Sequence, residues 1–207
     1  MKRLFLFAVA VISFSSLTAQ QFLEQDLKMI SDVSSDNREV RDIMDFQGIE
    51  YHKIKFTGKE LPNKSYHITV KEIWNGKVVS DTTVFNSAKI GIEQFEKVND
   101  TVLSFRVVSQ LTHENKLKMS FIFPRFRVTK AYDALDTDMY SLRNVAQESG
   151  LEIGYDKKFY LLAYILPYKR EDGSSSWCEV GTSGKDIENW GEKFGIEHYL
   201  LFEMKFE

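Results

Sequence analysis

Chemistry at a metal needs ligands that converge, so the histidines and the acidic clusters come first. His52, His67, His113 and His198 are scattered along the chain, and none belongs to an HExxH helix. His52 and His67 fit neighbouring strands, where a surface or hydrogen-bonded imidazole is the expectation. The densest acidic cluster is Asp133, Asp136 and Asp138, in the run DALDTD. Calcium favours several carboxylates together, which makes these three the metal candidates. The run lacks the glycine and terminal glutamate of an EF-hand loop, and a helix cap with solvated acids explains it better. Neither a metal nor a cofactor is expected.

Nucleophile motifs are absent. No GxSxG elbow occurs, and the single cysteine, Cys178, lies between Trp177 and Glu179, where it reads as a small buried hydrophobe. Gly181-Thr182-Ser183-Gly184-Lys185 resembles a phosphate loop only in outline. Asp186 stands where Ser or Thr must hold magnesium, and the upstream spacing fails. Carboxylate pairs for glycoside hydrolysis sit ~5–9.5 Å apart through the fold rather than through sequence spacing. A small secreted hydrolase therefore stays open as an alternative.

The aromatic side chains carry the one positive functional signal. Tyr160, Tyr164, Tyr168 and Trp177 crowd the C-terminal third, with Trp190 and Tyr199 further on. Exposed rings make binding faces for sugars or proteins because they bring large area at little entropic cost. Strand core is the competing use. These four are the candidate binding residues. Asn63-Lys64-Ser65 and Asn99-Asp100-Thr101 match the N-glycosylation pattern.

The elements that must carry these residues are mostly strands. Tyr66 to Trp74 and Lys77 to Phe85 flank Asn75-Gly76, a type I′ hairpin signal. Simple pairing sets Asp81 opposite Val70 on an apolar face, so a bulge or longer turn is expected. Leu103, Phe105, Val107 and Leu111, then Leu117, Met119, Phe121 and Phe123, alternate with polar residues and read as an antiparallel pair with one wet side. Phe159 to Tyr168 is apolar on both faces, as in a covered strand. Asp172-Gly173 is a second type I′ candidate, returning the chain through Trp177 to Val180. Ser183 to Gly195 reads as a helix with Ile187, Trp190 and Phe194 on one stripe. A last strand turns Leu200, Phe202, Met204 and Phe206 inward. Two weaker helices are expected, one on Phe22, Leu23, Leu27, Ile30 and Val33, the other from Asp138 to Ala146. The fold class is mainly β, an antiparallel β-sandwich with a closed β-barrel as the alternative, carrying two or three short helices.

Residues 1–19 read as a secretory signal. Lys2-Arg3 precede the apolar run Leu4 to Phe14, and small residues lead to Ala19 before Gln20. Eleven helical residues rise roughly 16 Å against about 30 Å of hydrocarbon, too short for an anchor. Residues 20–45 form an N-terminal helix or loop, and 46–207 a single β-rich domain. Losing Lys2 and Arg3 leaves 25 basic against 30 acidic groups, a mature charge of −5 with no footprint for nucleic acid.

The function expected is that of an exported, periplasmic or secreted, non-catalytic module that binds a protein or glycan, with no membrane span in the mature chain. A carrier of apolar small molecules in a barrel is the other alternative. Mass spectrometry of protein recovered from its native cell should show an N-terminus at or near Gln20. Recovery of Met1 to Ala19 on the folded domain overturns the export reading.

Overall fold

A computed structural model describes residues 26–177 and 186–207. Ten strands form two antiparallel sheets of five, packed as a β-sandwich. The first sheet runs β1 (Lys28–Val33), β2 (Ile49–Thr57), β5 (Val102–Leu111), β6 (Lys116–Ile122), β7 (Arg127–Asp133). The second runs β4 (Lys77–Asn86), β3 (Tyr66–Trp74), β12 (His198–Phe206), β9 (Phe159–Ile165), β8 (Ser141–Arg143). A small hairpin joins β10 (Tyr168–Lys169) to β11 (Ser175–Ser176). Among the described residues neither sheet closes on itself, so the barrel alternative does not hold.

Alternation along the strands builds the core. Phe56 and Phe121 of the first sheet meet Phe206 and Phe202 of the second, with ring centroids 5.2 and 5.5 Å apart. Such pairs add about 0.5–1.5 kcal/mol beyond the area they bury. Leu200, Phe202, Met204 and Phe206 are all buried, and β12 is hydrogen-bonded to β3 on one side and β9 on the other. Strand β9 is covered on both faces, in part by helix α3 (Val145–Glu148).

The expected hairpins form with adjustments. Asn75 and Gly76 both take positive φ, 48° and 76°, as a type I′ turn requires. The register shifts between Glu72 and Ile73, which sets Asp81 opposite Lys71 and frees Val70 to face Thr82. A bulge thus removes the acid from the apolar row. At Asp172-Gly173 only the glycine takes positive φ, 81°, and Arg170 N–H donates to Ser174 O at 2.8 Å. This is a three-residue loop with a glycine bulge rather than a type I′ turn. Its expected return strand to Val180 lies outside the described residues beyond Trp177.

Three helix expectations change. Residues 28–33 pair with β2 as an edge strand, because Lys28, Ile30 and Asp32 alternate with Met29, Ser31 and Val33 on the sheet register. The helix of this region starts later, as α1 (Arg38–Phe46), capped by the Asn37 side chain on the Glu39 and Val40 N–H groups. Within Asp138 to Ala146, residues 141–143 join β9 as β8, and only the turn after Asn144 is helical. The C-terminal helix is short: a 3-10 turn at Ile187–Asn189, then α4 (Trp190–Phe194) stopped by Gly195 at φ 66°. Its expected cap, Ser183, lies outside the described residues. Helix α2 (Glu93–Glu96) brings the number of short α-helices to four among the described residues.

The start of α4 sits on the Asn75-Gly76 turn. A Cβ on Gly191 would stand 2.6 Å from both N and Cα of Gly76, with backbone on each side. Gly191→Ala should therefore cost about 1–3 kcal/mol through overpacking. Gly195→Ala meets no atom within 4 Å and carries only the positive-φ strain, about 1 kcal/mol. Chemical denaturation of the two variants checks the order.

Candidate functional site

The four aromatic candidates do not form one face. Tyr164 and Tyr168 are buried, at 2% and 5% exposure. Tyr164 turns inward towards Tyr140, with centroids 5.8 Å apart, and Tyr168 packs on Phe194 at 5.5 Å. Trp177 is half-buried against the core, and neither its indole N–H nor the Tyr168 hydroxyl has a hydrogen-bond partner among the described residues. Tyr160 alone lies on an outer face, where its hydroxyl donates to Glu188 Oε1 at 2.9 Å. The aspartates do not converge either. Asp133 pairs with Lys116, and among the described residues no three metal-ligating side chains gather, Asp136 and Asp138 included. Cys178 and the Gly181 to Lys185 turn lie outside the described residues.

One end of the sandwich interior is polar. Glu50 and His52 point inward from β2, with Ser109 opposite Glu50 on β5. Glu50 accepts the Leu142 N–H of β8, and burial raises its pKa from 4.5 to about 7 against the pull of that bond and of Arg143. His52 donates through Nε2 to Leu142 O at 3.2 Å, and burial lowers its pKa. His198 stacks on Trp74 at 3.9 Å and accepts at Nδ1 from the Tyr140 hydroxyl, 2.6 Å away. Burial takes its pKa down to about 4. His52 ties β2 to β8 across the layers, and His198 ties β12 to Tyr140 just before β8.

The outer face of the second sheet gathers two carboxylates that the sequence keeps apart. Lys71 bonds both Glu188 and Glu203. Glu203 is 5% exposed and also accepts from Thr69 Oγ1 at 3.2 Å and Lys158 Nζ at 3.1 Å. Burial pushes the Glu188 pKa up, but the bonds from Lys71 and Tyr160 outweigh it and hold it low. A general acid needs the opposite shift. Charge in this cluster is neutralised within the protein, as a structural network requires.

The outer face of the first sheet is different. Residues opposite one another in the registers place Asp32, Lys53, Arg106, Ile122 and Arg127 in one row across all five strands. Ile30, Lys55 and Ser104 form the next row. Lys118 lies further along β6 on the same side. Lys55, Arg106, Lys118 and Arg127 are exposed and make no ion pair among the described residues, while Lys53 bonds Asp36 at 2.5 Å. Tyr51, Ile30, Ile122 and Pro124 join Lys55 and Arg106 around an open cleft of about 520 Å³. A chain of net acidic charge thus holds a cationic, partly apolar sheet face. Sequence reasoning recognised the polar rows of β5 and β6 but not their sign. The signal was the lysine and arginine parity in three separate segments, which means little until those strands are known to be neighbours.

Glu50 and His198 set opposed pH dependences. The Glu50 pKa is raised, so its contribution to stability is present below pH 4.5 and is lost as pH rises towards 7. The His198 pKa is lowered, so its contribution is present above pH 6.5 and is lost as pH falls towards 4. Glu50→Gln should stabilise the fold at pH 8 by up to about 3 kcal/mol and leave it little changed at pH 4.5. Urea unfolding at the two pH values checks this.

No protein-family model, no curated protein and no solved structure matches the chain.

Proposed function

We propose that the protein is exported, loses residues 1–19, and acts without catalysis as a β-sandwich module that binds a protein or glycan on the outer face of its first sheet. The observation that carries this reading is a sheet face on which Lys55, Arg106 and Arg127 are exposed and make no ion pair among the described residues, beside a partly apolar cleft. Exposed arginine and lysine without internal partners keep their hydrogen-bonding capacity for a ligand. The strands beneath them are held by the aromatic core, so the face is rigid and little ordering entropy opposes binding. The leader supports export: a basic head, an eleven-residue apolar run and small residues before Gln20. No helix of the described residues is long and apolar enough to cross a membrane.

The hydrolase reading keeps one specific observation, the Glu188 and Glu203 carboxylates joined through Lys71. An array of immobilised glycans and peptides separates the two. Binding lost in a Lys55→Glu, Arg106→Glu double variant supports the module. Binding indifferent to that variant removes the face from consideration. Turnover of an arrayed glycan that stops on Glu188→Gln replaces the module with a hydrolase.

A further inference from the structure

We infer that the ligand of this face is an acidic polysaccharide, laid across the strands of the first sheet with its anionic groups on Lys55, Arg106 and Arg127 and its ring faces in the Tyr51 cleft. This rests on the reading of that face as the binding surface and names the class of ligand.

Three observations favour a sugar polymer over other anions. First, the cations follow the strand spacing. Arg106 and Arg127 share a row two strands apart, about 10 Å, and Lys55 is on the strand next to Arg106, in the adjacent outward row. A linear chain with one acidic group on each sugar presents charge at a comparable repeat. Second, the cleft combines Tyr51, Ile30 and Ile122 with Lys53, Lys55 and Arg106, three cations against the one carboxylate, Asp32. Sugar rings have apolar C–H faces and polar edges, so one ring can use both kinds of side chain. The arginine fork matches a carboxylate or sulfate through two parallel bonds. Third, Tyr51, Lys55 and Arg106 lie on strands whose backbone is paired on both sides. β2 is bonded to β1 and β5, and β5 to β2 and β6. An extended acidic peptide gains most of its affinity by adding to a free edge, whereas Tyr51, Lys55 and Arg106 stand on the inner strands β2 and β5, with only Arg127 on the edge strand β7. Single-stranded nucleic acid relies on successive stacked bases, and of the two rings lining the cleft Phe105 is buried in the core, which leaves Tyr51 at the surface.

Isothermal titration of the full mature chain tests the inference with polygalacturonate and dextran sulfate as ligands. Neutral dextran, poly-glutamate and a single-stranded oligonucleotide are the controls. The acidic polysaccharides should bind and weaken with added salt, and dextran should not bind. A Lys55→Gln, Arg106→Gln variant should bind about tenfold more weakly for each cation replaced. Its melting temperature should match the parent, since both side chains are exposed. Tyr51→Ala should weaken the polysaccharides selectively. Poly-glutamate or oligonucleotide bound as tightly as the sugars, and lost in the double variant, overturns the sugar assignment and leaves the face as a binding surface. Binding of any probe that the double variant leaves unchanged overturns both. Failure of both acidic polysaccharides to bind overturns the inference.

Discussion

Side chains of a strand point alternately to its two sides, and in this protein the inward row is filled by interlocking phenylalanines. Phe56 and Phe121 from one sheet engage Phe206 and Phe202 from the other, and Phe105 stacks beside Phe56. That packing removes any freedom in the register, because a slip of one residue would bring a charged row into the core. Each outer row is then fixed as well. Lys53 and Lys55 face outward because Ile54 and Phe56 face inward, and Arg106 does so because Phe105 and Val107 are buried.

The two outer rows then meet different surroundings. On the second sheet the 3-10 turn at Ile187–Asn189 and Trp190 cover one end, and the remaining polar groups bond one another through Lys71 and Glu203. A buried carboxylate held by Thr69, Lys71 and Lys158 has little capacity left for a ligand. On the first sheet, among the described residues, Lys55, Arg106, Lys118 and Arg127 make no ion pair, while Asp36 bonds Lys53 and Asp133 bonds Lys116. Net charge describes the sum of these faces and conceals their difference. The protein is acidic overall and basic where it is flat and open.

Much of the fold was legible in the residues. The β5–β6 pair and β12 show clean alternation, and the Asn75-Gly76 turn has a local steric requirement that few other residues meet. Where two periodicities compete, the reading fails. Leu27, Ile30 and Val33 recur at the three-residue spacing of a helix, yet Ile30 and Val33 are 54% and 68% exposed on an edge strand. Met139, Leu142 and Val145 repeat the same spacing across a turn, a strand and a helix. The burial of Tyr164 and Tyr168 has a related reason. β9 is covered on both sides, so its tyrosines belong to the packing, and only Tyr160 keeps a hydroxyl at the surface. The cationic row was beyond the reach of a linear reading, since Lys53, Arg106 and Arg127 come together only through the order β2-β5-β6-β7.

The place of β12 in the second sheet has a consequence for how the chain is made. His198–Phe206 lies between Tyr66–Trp74 and Phe159–Ile165, so that sheet has no central member until residue 206 has left the ribosome. Contacts over such long sequence separations form slowly, and a nascent chain awaiting them stays open. Delay of that kind leaves the facing edges of Tyr66–Trp74 and Phe159–Ile165 unpaired while the rest of the chain is made.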